Sequence, residues 1–140
     1  MYYKCRYFRI EELVPKNLHT QFGEDCWQFF NPLALEALDN VRIYFDRPVT
    51  VNTWLWGGNL QLRGLRPPGT SVGAAYSLHK FGGAFDFDVW EMLAGEVRQV
   101  ILDNQDQPAF ENINCLEADV SWVHMDVRNV EDRIKLVYPR

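Results

Sequence analysis

Apolar and polar positions alternate most regularly at Ala84-Phe85-Asp86-Phe87-Asp88-Val89. This predicts a strand with Phe85, Phe87 and Val89 on one face and Ala84, Asp86 and Asp88 on the other. Elsewhere the period is helical. Asn31-Pro32 joins a capping residue to a proline suited to the first helical position. Leu33, Leu35, Ala37, Leu38, Val41, Ile43 and Phe45 follow, among Glu36, Asp39, Arg42 and Asp46, and predict the main core helix, ending before Pro48. Shorter helices are predicted over residues 8–14, stopped by Pro15, and over 91–102, where Met92, Leu93, Val97, Val100 and Ile101 make the apolar side. β-branched residues predict a strand over 49–54, and two more strands are expected over 120–127 and 134–138. Residues 16–30 read as irregular. Residues 57–75, rich in glycine, proline and polar side chains, read as a long loop of the kind that more often carries function than not. The expected architecture is one α+β domain over residues 1–140, with helices on one side of a largely antiparallel sheet.

Composition narrows the partners. The chain has 140 residues, 47% hydrophobic and 14% aromatic, enough for one globular core and too apolar for a disordered chain. A net charge of -5 argues against nucleic acid, which selects a basic face. Basic residues do gather at Arg63 and Arg66 and at Arg128, Arg133 and Lys135, most of them expected on the solvated surface. No apolar run approaches the roughly 20 residues of a membrane span, and no secretory segment is apparent, so no membrane partner is expected. Cys5, Cys26 and Cys115 are scattered, without a Cys-x-x-Cys pair, and are expected to be reduced and partly buried in a monomer made in the cytoplasm.

The chemistry lies in two segments. Ser77-Leu78-His79-Lys80-Phe81-Gly82-Gly83-Ala84-Phe85-Asp86 sets a histidine and an aspartate seven positions apart, and Trp122-Val123-His124-Met125-Asp126 adds a second imidazole. Two imidazoles and a carboxylate are the donor set of a catalytic zinc, which takes three protein ligands and keeps a fourth position open. The first segment has the pattern Ser-x-His-x-x-Gly-x-Ala-x-Asp and the second Trp-x-His-x-Asp. Together they resemble the zinc D-Ala-D-Ala carboxypeptidase and murein endopeptidase family, whose fold is shared with the signalling domain of hedgehog proteins. The resemblance covers roughly residues 49–128.

That resemblance implies a Zn2+ ion on His79, Asp86 and His124, and hydrolysis of peptidoglycan stem or cross-bridge peptides by a phage or prophage endolysin, made in the cytoplasm and acting on the cell wall after release. Many relatives place an acid three residues before the last histidine, where this chain has Ser121. Glu117 is the preferred general base, because its longer side chain extends its reach and hedgehog-type relatives place a glutamate at a similar upstream distance; Asp119 is the reserve. Arg66 matches a family arginine that contacts substrate, with Arg63 as competitor, and its planar fork suits a carboxylate. Ser77 is expected to bind substrate or brace the His79 loop. Asp126 shares the strand face of His124 and is placed to orient a ligand histidine. Trp122 is the best candidate for a groove wall among Trp54, Trp56, Tyr76 and itself, and His19, with no acidic neighbour apparent, is expected at the surface. A second class of function stays open, a recognition or phage structural module of the same fold with catalysis lost, and Ser121 is the feature that favours it.

Overall fold

The alternating segment forms strand β2 (Ala84–Val89) in a computed structural model that describes residues 2–130 and 133–139. Around it lie β1 (Val49–Thr50), β3 (Cys115–Glu117), β4 (Val123–Asp126) and β5 (Lys135–Val137), in the sheet order β1-β2-β4-β3-β5. β1–β2, β2–β4 and β4–β3 pair antiparallel, and β3–β5 pair parallel, so the sheet is mixed. Three helices complete a single α+β domain: α1 (Lys16–Phe22), α2 (Pro32–Phe45) and α3 (Ala94–Asp103).

Phe85 and Phe87 of β2, Val123 and Met125 of β4 and Leu116 of β3 enter one core with Leu35, Leu38 and Val41 of α2 and Val97 and Ile101 of α3. Phe30, just ahead of α2, stacks on Phe85 with ring centroids 5.6 Å apart. Burying such side chains contributes about 1.5–3 kcal/mol each. One face of the sheet is thereby committed to packing, and period-2 alternation sends Asp86, His124 and Asp126 to the other.

Several expectations are corrected. α2 starts where the sequence places it, with the Asn31 side chain accepting from the Leu33 N–H at 2.9 Å. Residues 8–14, however, form only a single 3-10 turn, Ile10–Glu12. The Glu12 and Leu13 carbonyls accept from the Asn52 and Leu65 N–H groups, at 3.0 and 2.9 Å, which draws them away from a continuing helix. Residues 16–30, read as irregular, are mostly helical: α1 runs into a 3-10 helix over Gly23–Phe29. α1 buries none of its residues fully, so it lacks the apolar stripe that would reveal it. The strand expected over 49–54 has two residues, after which the chain turns at Trp54–Trp56. The helix expected from residue 91 begins at Ala94, where Glu96 accepts from the Leu93 N–H at 2.9 Å. Strand β3 lies outside the expected elements, at three residues too short to show a period in the sequence.

The loop over 57–75 is stitched to the core. Within it, the Arg63 carbonyl accepts from Asp86 N–H at 2.7 Å, the Leu65 N–H donates to Leu13, and the Arg66 N–H donates to the His79 carbonyl at 3.0 Å. Buried Asn52 ties the same loop inward, accepting from Arg63 N–H at 3.0 Å and donating to the Val14 carbonyl at 3.4 Å. Gly82 ends the 3-10 turn Leu78–Phe81 at φ 70°, and a Cβ there would collide with the Phe29 carbonyl oxygen. Gly82→Ala should destabilise the fold by about 2–3 kcal/mol, lowering Tm by roughly 5–10 °C. Gly69→Ala, with nothing within 4 Å of the new methyl group, should melt with the wild type. Thermal denaturation followed by circular dichroism checks both, and equal melting of the two variants would contradict the packing described for Gly82.

Candidate metal centre

Asp86 and His124 face each other as register partners across β2 and β4, on the sheet face opposite the core. His79 reaches them from the 3-10 turn that precedes β2, capped by Ser77, whose hydroxyl accepts from the His79 N–H at 3.3 Å. The ligating atoms of His79, Asp86 and His124 all lie within 4.8 Å of one another, and all three residues are buried. Such a group can hold a metal ion.

Outer hydrogen bonds decide which nitrogens face the centre. His79 Nδ1 lies 2.9 Å from the Gly64 carbonyl oxygen, which can only accept, so Nδ1 carries the proton and Nε2 is left for the metal, 3.3 Å from Asp86 Oδ1. His124 is turned the other way. Its Nε2 lies 2.8 Å from Asp126 Oδ2, and its Nδ1 lies 2.8 Å from Asp86 Oδ1. Asp126 is buried and held in turn by Arg128, whose Nε and Nη2 donate to its two oxygens at 2.9 and 2.7 Å. Arg128, expected at the solvated surface, is a clamp on a carboxylate. His124, Asp126 and Arg128 recur at every second position, which is the signal in the sequence that could have assigned it this role.

Glu117 completes the cluster. Cys115 opposes Asp126 and Leu116 opposes Met125, so Glu117 returns to the face that carries Asp86 and His124. Its Oε1 lies 3.1 Å from His124 Nδ1, and it lines the same cleft of about 870 Å³ as His79, Asp86 and His124. Asp119, two residues on at φ 58°, is exposed and does not line that cleft. Ser121 lies in an adjoining depression with Arg63 and Trp122. Trp122, 38% exposed, lines both spaces. Arg66 points at the centre, with Nη2 3.3 Å from Asp86 Oδ2 and Nε donating to the Leu62 carbonyl at 2.8 Å. Arg63 is drawn aside to Asp88 at 2.9 Å. His19 does have an acidic partner, since its Nε2 lies 3.5 Å from Glu11 Oε1.

The charges interlock. Burial raises the Asp86 carboxyl, but hydrogen bonds from His124 and His79 outweigh it and hold the group well below the usual carboxylate range. Burial pulls the His124 imidazole down, but its bonds to Asp126 and Asp86 and the nearby Glu117 raise it to about 9.

Comparison with models of protein families, with curated proteins and with solved structures finds no match to this chain. The geometry of its own residues therefore carries the functional argument.

A metal on His124 Nδ1 requires that nitrogen to be unprotonated, so at neutral pH the ion must displace the proton that Asp86 and Asp126 stabilise. Zinc binding to chelator-treated protein should release about one proton near pH 7, and apparent affinity should rise about tenfold per pH unit until near pH 9. Calorimetric titration in buffers of different ionisation enthalpy measures the release, and a buffer-independent enthalpy would contradict it. The metal-free fold behaves oppositely. A raised imidazole contributes stability that is fully present below its ordinary value of 6.5 and lost as pH rises through about 9. The depressed Asp86 contributes above its ordinary value of 3.8 and is lost as pH falls below it. Denaturant midpoints of the stripped protein should therefore decline from pH 6 to pH 9, and a rise over that interval would contradict the His124 assignment.

Proposed function

We propose that this chain is a zinc-dependent peptidase of peptidoglycan, an endolysin-like enzyme of the D-Ala-D-Ala peptidase and hedgehog type of fold, acting on the cell wall after release from the cell that makes it. The observation that carries the reading is the Glu117 carboxylate set beside the buried His79, Asp86 and His124 at the floor of an open cleft. Two neutral imidazoles and one carboxylate suit zinc better than magnesium or calcium, which prefer oxygen donors throughout. The same donors also serve iron(II) in oxygenases, but a further carboxylate poised at the open side belongs to hydrolysis. The Ser-x-His-x-x-Gly-x-Ala-x-Asp and Trp-x-His-x-Asp segments support the choice of substrate.

Zinc held by His79, Asp86 and His124 would supply a Lewis acid able to polarise a peptide carbonyl and acidify water. Glu117 takes a proton from the attacking water and delivers it to the departing amine, acting first as base and then as acid. Asp126, braced by Arg128, keeps the His124 ring turned with Nδ1 inward, and the Gly64 carbonyl does the same for His79 through its Nδ1–H. Arg66 anchors Asp86, which balances its charge, through Nη2, and Nη1, without a hydrogen bond among the described residues, is left for a neutral substrate carbonyl. Trp122 walls the cleft.

Glu117→Gln should retain one zinc per chain and the wild-type melting curve while slowing peptidoglycan hydrolysis by about 10²–10⁴-fold. Asp119→Asn should leave the rate within about twofold. Turbidity loss of purified cell walls and elemental analysis are the measurements. A Glu117→Gln enzyme of undiminished rate would overturn the assignment of the base. A wild-type protein that binds zinc and hydrolyses no cell wall would favour the recognition module.

A further inference from the structure

We infer that the metal centre opens into a groove that continues beyond it, so that the enzyme cuts an internal bond of an extended peptide and holds a carboxylate of that peptide at Lys16. The inference rests on the peptidase reading and specifies its substrate. Three clefts share walls. The cleft over the metal ligands shares Asp86 and Trp122 with a smaller one of about 360 Å³, which extends to Leu60 and Arg63. Those two residues also line a third cleft of about 1030 Å³, bounded by Lys16 and Thr20 of α1 and by Gln61 and Pro67 of the long loop. Arg66 and Val72 join this third cleft directly to the first. The space therefore continues from the ligands to α1, and the cleft over the ligands also reaches Arg128 and Pro139.

Removal of a C-terminal residue asks for different features: a groove closed one residue beyond the metal, and a free cation there for the terminal carboxylate. The cations nearest the centre are already engaged. Arg66 is held by Asp86, Arg128 by Asp126 and Arg63 by Asp88. Among the described residues, Lys16 has no carboxylate within 4.0 Å, and it lines the third cleft, which the metal ligands do not. That cleft is lined by the amides of Asn17, Gln21, Asn59 and Gln61 and by no carboxylate. Amides that both donate and accept suit an extended backbone, and the exposed ammonium suits an acidic side chain or terminus several residues from the cut.

Two probes test this with the zinc-loaded protein: a peptidoglycan stem pentapeptide ending in D-Ala-D-Ala, and a cross-linked dimer of stems, with products identified by mass spectrometry. The inference expects cleavage of an internal bond and no free D-alanine. Free D-alanine as the sole product would overturn it and leave the peptidase reading standing, whereas no cleavage of either probe would overturn both. Lys16→Ala, an exposed substitution, should raise KM about fivefold, the weight of one exposed ion pair, with kcat unchanged, and Lys16→Arg should restore it. An unchanged KM in Lys16→Ala would remove the carboxylate from Lys16.

Discussion

Everything at the site depends on one cross-strand pair, Asp86 opposite His124 on the face of the sheet turned away from the core. Alternation along β2 and β4 forces the arrangement. Once Phe85, Phe87, Val123 and Met125 are buried, their neighbours must share the opposite face. A one-residue slip of either strand would turn its polar side chains into the apolar core and its core side chains out of it. The apolar core thus sets the geometry of the ligands with the same free energy that folds the domain.

The third candidate ligand needs a different device. His79 belongs to no strand, and it is held by two backbone groups and a hydroxyl: its Nδ1–H by the Gly64 carbonyl, its own carbonyl by Arg66 N–H, and its N–H by the Ser77 hydroxyl. Residues 63–66 can brace it because they are themselves fastened to Leu13, Asn52 and Asp86. At Gly64 a Cβ would run into the Leu13 carbonyl, so the close approach there requires glycine. Long loops are usually the mobile parts of a domain, yet this one acts as scaffold because its amides and carbonyls are paired with core segments.

The parts of this protein legible in its sequence are those written in periodicity and spacing. The β2 alternation, the Asn31 cap and the alignment of His124 with Asp126 follow from local rules, whereas the choice of His79, Asp86 and His124 as one set comes from the resemblance of their two segments. What escapes them is set by distant contacts. α1 has no buried stripe, β3 is three residues long, and the 3-10 turn at Ile10–Glu12 stops short because its carbonyls are claimed by residues 52 and 65. The sequence prefers Glu117 to Asp119 only by side-chain length and by resemblance. They part only when β3 pairs with β4 and the chain turns at Asp119 with positive φ, leaving one carboxylate at the centre and the other in solvent. Arg128 was obscured by its charge, since an arginine near the C-terminal end of a strand looks like solvated surface until its partner is known to be buried.

Anomalous diffraction at the zinc edge from crystals grown with zinc tests the central claim most directly. The account predicts one peak, about 2.0–2.2 Å from His79 Nε2, an Asp86 carboxylate oxygen and His124 Nδ1, with an open position toward Glu117. Ligation through the opposite ring nitrogens, a peak elsewhere on the chain, or Glu117 filling the fourth position as a closed structural site would contradict it.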